Sequence, residues 1–224
     1  MTILFVAILF ALIISIEAFI HRGKLFPESV HNSVKPVDLE KVTGLHVSRE
    51  LHFHPFHTWI RAIDSQTCFV GIDDLAKLIA GRPEKIILPL EGSVLQAGIP
   101  SVSIRNCKRV TQVVTPVSGE IVEVNKTLES NPELTFNDPY REGWLYKIKN
   151  WNLVDQKKSL LNGDFVVDWM KSSIQRIINS LDVPRQAFAQ DGGLLFENFS
   201  EHLDRHEWSR LVKETLGTEA VVIV

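Results

Sequence analysis

The chain has 224 residues, 45% of them hydrophobic and 23% charged, a composition that excludes a wholly disordered protein and suits one or two modest domains. A formal net charge of −3 leaves no basic footprint for nucleic acid, which is not an expected partner. Two cysteines, Cys68 and Cys107, are too few and too far apart in sequence for a disulfide framework.

Residues 2–20 form an apolar run in which Glu17 is the one ionisable side chain. Nineteen residues at helical rise span about 28 Å, the thickness of a bilayer core. No Lys or Arg precedes the run, and Ile16-Glu17-Ala18 is a poor cleavage site. The segment therefore reads as a retained single-pass transmembrane helix rather than a cleaved signal. The first cations, Arg22 and Lys24, follow it and place the C-terminal bulk on the cytoplasmic side. Residues 25–50 carry Pro27 and Pro36 without sustained periodicity, which predicts a linker with a short helix around Val37–Val42.

From residue 51 short apolar runs alternate with Gly and Pro, a β-rich pattern. Strands are expected at Trp59–Ile63, Cys68–Ile72, Lys85–Leu88, Val102–Arg105, Val110–Thr115, Gly119–Asn125 and Trp144–Lys149. One helix interrupts them, with Asp73 as N-cap, Leu75, Leu78 and Ile79 as its apolar stripe, and Gly81 as its stop. After Lys149 the period becomes helical. Phe165, Trp169, Ile174, Ile177, Ile178 and Leu181 recur at three- and four-residue steps, with Asp164 as a cap and Pro184 as the end. Residues 185–193 read as a loop. A second helix is expected at Ser200–Leu216, with Leu203, Trp208, Leu211, Val212 and Leu216 on one face and Gly217 as its stop. Ala220–Val224 is a β-like run that must be covered or paired if it folds. The fold class is thus α+β.

The stretch that carries chemistry runs from Leu90 to Asn125. Glu91-Gly92, Ala97-Gly98 and Pro116–Gly119 are turn signals. Asn106-Cys107-Lys108-Arg109 is a polar step between two β-rich runs, the pattern of a hairpin tip. A lysine there offers a long, flexible amine to a modifying enzyme, or is simply a solvated turn residue. Cys107 beside it is a candidate exposed thiol, whose pKa Arg105, Lys108 and Arg109 would lower, or an ordinary turn cysteine. His52, His54 and His57 form an H-x-H-x-x-H pattern, of which two share a strand face and could bind a metal. No cysteine or acidic cluster nearby completes such a site, so packing or surface histidines are the expectation. Trp59, Trp144, Trp151, Trp169 and Trp208 are expected in packing roles. No phosphate-binding loop or hydrolase motif is present.

Several motifs in order resemble one family. They are His57-Thr58-Trp59-Ile60-Arg61, Val70-Gly71-Ile72-Asp73-Asp74-Leu75-Ala76, Leu88-Pro89 with Gly92, Ala97-Gly98, and Pro116–Glu120 running on to Asn125. Leu128-Glu129 with Pro132–Leu134, Asn137–Tyr140 and Gly143–Leu145 with Lys147-Ile148 follow. Residues 51–171 are similar to the H protein of the glycine cleavage system, a member of the lipoyl/biotinyl carrier group. The resemblance implies a barrel-sandwich hybrid, the lipoyl hammerhead, of antiparallel sheets plus helices; the N-terminal transmembrane helix and the C-terminal helices after residue 171 depart from that small soluble carrier. It implies lipoic acid in amide linkage on a hairpin lysine. An ungapped count back from Pro116–Gly119 puts that position on Lys108, eleven residues before Gly119. It implies a carrier without catalytic activity of its own, with carrier-dependent enzymes and a lipoate-attaching enzyme as partners. The neighbourhood departs from the family's usual Glu-Ser-Val-Lys-Ala. Arg105 stands where an acid precedes the lysine by three, and Gln112 replaces the downstream acid. The two functions expected are a membrane-anchored lipoyl carrier and a non-lipoylated H-like scaffold or assembly protein. The expected layout is an anchor at 1–24, a linker at 25–50, the carrier domain at 51–171 and a helical extension at 172–224.

Overall fold

Short apolar runs in the β-rich region build antiparallel sheets. The structure, a computed structural model, describes residues 37–107, 109–150, 152–181 and 199–222. The expected transmembrane helix at 2–20, Lys108, Trp151, Pro184 and the loop expected at 185–193 lie outside the described residues. Among the described residues no helix is long and apolar enough to cross a membrane. Everything described belongs to one unit, Pro36–Val224.

The strands are β1 (Glu40–Val42), β2 (Leu45–Val47), β3 (His52–Phe53), β4 (Thr58–Ala62), β5 (Thr67–Ile72), β6 (Lys85–Ile87), β7 (Val94–Leu95), β8 (Pro100–Asn106), β9 (Arg109–Val114), β10 (Gly119–Val124), β11 (Tyr146–Lys149) and β12 (Val221–Val222). One sheet has the order β3-β4-β5-β11-β10-β7, a second the order β12-β9-β8-β6, and β1 and β2 form a separate pair. The two larger sheets make a β-rich sandwich. The fully buried Tyr146 of β11 joins them, its hydroxyl lying 3.1 Å from Ser101 Oγ and donating to Thr115 Oγ1 at 3.2 Å. Trp59 stands opposite Gly71 across the β4–β5 pair. A Cβ at Gly71 would collide with the Trp59 ring, so the glycine is a packing requirement.

Helix α1 (Asp74–Ala80) is capped by Asp73, whose carboxylate accepts from Leu75 N and Ala76 N. Helix α2 (Phe165–Ser180) and helix α3 (Arg205–Leu216) follow the sheets.

Several expectations need correction. The short helix around Val37–Val42 is a β-hairpin. Thr43 and Gly44 take φ of 47° and 83°, and two consecutive left-handed residues between paired strands match the twist of a hairpin. Residues 37–50 of the expected linker belong to the folded body: Leu45 and Val47 are buried, and Tyr140 donates its hydroxyl to His46 O. Asp164 makes no side-chain cap to α2; its carboxylate pairs with Arg49. The helix expected from Ser200 begins at Arg205, after a 3₁₀ turn at Phe199–His202. Asp204 and Glu207 form a reciprocal capping box that fixes this start. The 171–172 boundary falls inside α2, and Val221–Val222 of the expected β-like run pairs with β9.

Candidate functional site: the β8–β9 hairpin

β8 and β9 pair from Pro100↔Val114 to Asn106↔Arg109. That register leaves a two-residue connection at the expected tip. Cys107, the first of the two, has φ of 49° and is exposed, which lets the hairpin reverse within its own twist. Lys108, next in sequence, lies outside the described residues. Asn106 at the end of β8 is buried, and its side-chain amide occupies the space that a Cβ on Gly81 would need.

The tip is less cationic than its sequence. Arg105 Nε lies 3.9 Å from Glu84 Oε2, and Glu84 N donates to Arg105 O at 2.8 Å. Glu84 also acts on Cys107. With Glu201 as a further contributor, it raises the thiol pKa above the ordinary value, against a smaller opposing effect of Arg109. Arg109 lowers this pKa as expected, but the net direction is the reverse of the expectation, because Glu84 on the β6 side, with desolvation and Glu201, outweighs it. Buried Cys68 is driven further, to about 12, by burial.

On the other side of the tip stands the C-terminal extension. The Arg109 guanidinium donates to Ser200 O and, at 2.7 Å, to Leu203 O, and it lies 5.0 Å over the Trp208 ring. β12 pairs Val222 with Arg109 and Val221 with Val110. Thr218 Oγ1 donates to Gln112 O at 2.8 Å. Glu84 and Glu201 carried no signal in the sequence, and Ser200 and Leu203 were read only as parts of a helix, because their relevance to the tip arises from strand pairing and long-range packing. Trp208 was legible as part of an apolar face but not as the seat of Arg109.

The histidines do not converge. His54 Nδ1 accepts from Phe56 N at 3.2 Å. His57 is buried with its Nδ1 2.7 Å from Asp73 Oδ2 and its ring stacked 4.5 Å from Trp169. His52 is part of β3, and desolvation lowers its pKa. Among the described residues no group of three or more His, Cys, Asp or Glu side chains could hold a metal ion. Trp59 is buried with Nε1 donating to Ile72 O at 2.8 Å, and Trp144 meets Phe69 edge-on at 5.3 Å.

Gly119, the landmark for Lys108, opens β10 at φ 157°. A Cβ there would strike the carbonyl of Lys149. The spacing to Lys108 thus rests on a position that close backbone approach reserves for glycine.

A β-sandwich that holds a tight hairpin out to solvent is the architecture of a carrier domain, which presents a side chain to other proteins. A family model described as glycine cleavage H-protein matches residues 51–173, more than half of the chain. The chain is 36% identical over 126 residues to a probable glycine cleavage system H protein of Thermococcus kodakarensis, covering 56% of this chain and 93% of that protein. It is 42% identical over 99 residues to the glycine cleavage system H protein of Bacteroides fragilis, covering 44% of this chain and 78% of that one. A crystal structure of a glycine cleavage system H protein from Mycobacterium marinum aligns with a TM-score of 0.44 and 29% identity, over 47% of this chain and 87% of that chain. The chain belongs to the glycine cleavage H-protein family. Its members are lipoyl carriers without catalytic activity of their own.

Proposed function

We propose that this protein is a membrane-tethered carrier that bears lipoate on Lys108 and passes intermediates between partner enzymes. The observation that carries this reading is the hairpin. In a chain of this family, β8 and β9 close through a two-residue connection whose described residue, Cys107, is exposed. The sequence puts a primary amine next to that residue, which is the group an amide to the carboxyl of lipoate requires. When bound, the group would supply a cyclic disulfide as the carrier chemistry, with the protein supplying its placement. The chain's own residues do the rest. The β8–β9 ladder ends at a turn whose described residue, Cys107, is exposed, and Glu84 offsets the positive charge of Arg105. Residues 2–20 supply the tether, with the carrier domain on the cytoplasmic side; the support for this is their near-uniform apolarity and the position of Arg22 and Lys24.

The test is the intact mass of protein from lipoate-replete native cells, with peptide mapping across Lys108 and a Lys108→Ala control. A lipoyl increment on the wild-type peptide, absent from the control, is expected; an unmodified Lys108 overturns the carrier reading. Carbonate extraction of membranes tests the tether. The full chain stays in the pellet and a chain lacking residues 2–20 does not, whereas release of the full chain refutes anchoring.

One observation favours a second reading. The extension grips the strand that leaves the tip, through Arg109 and β12, as a hairpin used for a fixed protein contact would be held. In that case the protein is a non-lipoylated H-like scaffold, and the mass measurement separates the two.

A further inference from the structure

The grip on β9 comes from one short segment and lands on three residues of its first four, Arg109, Val110 and Gln112. Residues 199–222 contribute the carbonyls of Ser200 and Leu203 and the ring of Trp208 to Arg109. They contribute the β12 ladder to Arg109 and Val110, and the Thr218 hydroxyl to the Gln112 carbonyl. Trp208 is itself seated: it is fully buried and its Nε1 donates to Ile79 O of α1 at 3.1 Å. All of these groups lie beyond residue 173, where the family match ends. On the other strand, buried Asn106 is held against Gly81 after α1. Both ends of the turn are therefore tied to the same layer, α1 with the extension.

A guanidinium that is stacked on an indole and bonded to two carbonyls is constrained in plane, direction and distance, because its donors form a rigid fork. A lysine at this place would keep the charge and one bond but lose the fork.

We propose that Arg109 is a positioning residue for the carrier arm: by tying the first residue of β9 to the C-terminal extension it fixes the direction in which the hairpin tip points. This rests on the carrier reading only for the identity of the group on Lys108; the fixing of the tip stands without it.

The experiment uses the full chain with a nitroxide on Cys107, which is exposed while Cys68 is buried. The wild-type label gives a restricted spectrum. Arg109→Ala shortens its correlation time about twofold or more, and Arg109→Lys recovers part of the restriction. Thermal melts of the same samples report the structural contribution. A lower melting temperature with an unchanged label spectrum overturns the proposal, and so does a wild-type label already as mobile as that in Arg109→Ala. A lipoate-attaching enzyme supplies the second readout. Arg109→Ala raises KM for the carrier several-fold with kcat held within twofold, and equal KM values overturn the proposal. If wild type accepts no lipoate, the carrier reading fails while the label spectra still decide the positioning of the tip.

Discussion

Replacing Trp208 by alanine tests whether the extension is part of the folded body. The indole is fully buried between α1 and β9, its Nε1 donates to Ile79 O, and Arg109 lies over its ring. Truncating a buried tryptophan to alanine costs about 3–5 kcal/mol through lost transfer energy and the cavity left behind. The stranded Ile79 carbonyl and the lost cation–π contact place Trp208→Ala in the upper part of that range, at about 4–5 kcal/mol. For a domain of this size each kcal/mol moves the melting temperature by about 2–4 °C, so a fall of roughly 8–20 °C is expected. Trp208→Phe keeps an aromatic ring but loses the hydrogen bond, and loses about 1–2 kcal/mol. The assay is urea unfolding of the full chain in detergent, followed by far-ultraviolet circular dichroism, with thermal melts alongside. A loss below about 1 kcal/mol for Trp208→Ala would refute the packing of residues 199–222 against the carrier body.

Three further outcomes follow from the site and its supports. Asp73→Ala removes the cap of α1 and the partner of buried His57, and loses about 2–4 kcal/mol in urea unfolding; Asp73→Asn, which keeps an acceptor, loses less, and equal losses would argue against the cap. Gly119→Ala forces a Cβ onto the Lys149 carbonyl and costs about 1–3 kcal/mol by the same assay, so an unchanged midpoint would contradict the close approach. The pH profile of Cys107 alkylation by iodoacetamide has its midpoint above the ordinary thiol range, because Glu84 disfavours the thiolate. Glu84→Gln removes that negative charge, so the midpoint moves down and the rate at neutral pH rises; a midpoint that stays put removes Glu84 as the cause. Buried Cys68, at about 12, does not react in the folded protein.

Much of the sandwich was legible because its strands are short apolar runs separated by turn residues. Trp59–Ile63, Cys68–Ile72 and Gly119–Asn125 each shift by a residue or less at either end against β4, β5 and β10. The cap and stop of α1 were read from Asp73 and Gly81 by side-chain chemistry alone. The β1–β2 hairpin was missed because its strands have three residues each, too few for a period to show. Its marker was the Thr43-Gly44 pair, since a glycine after a polar residue permits a two-residue turn. The start of α3 was misplaced by reading Ser200 as the entry, although Asp204 and Glu207 stand at capping-box spacing. For the site, the position of the hairpin tip followed from turn chemistry. The electrostatics did not, because Glu84 reaches Cys107 through strand pairing and Glu201 through the extension. The charge of a local pentapeptide is thus a poor guide to the field at a hairpin tip.

The pairing of β12 with β9 joins residues roughly 110 positions apart, and this separation sets an order of events during synthesis. β8 and β9 are made first, and the strand that covers the outer edge of β9 is made roughly 110 residues later. At about 5–20 residues per second, roughly 5–20 s pass between the two. Through that interval β9 presents an unpaired backbone edge, open to any other extended chain. A modifying enzyme acting on the nascent protein meets a free hairpin, and one acting on the finished protein meets a braced one. Attachment to the growing chain and attachment to the mature chain are therefore encounters with two different substrates.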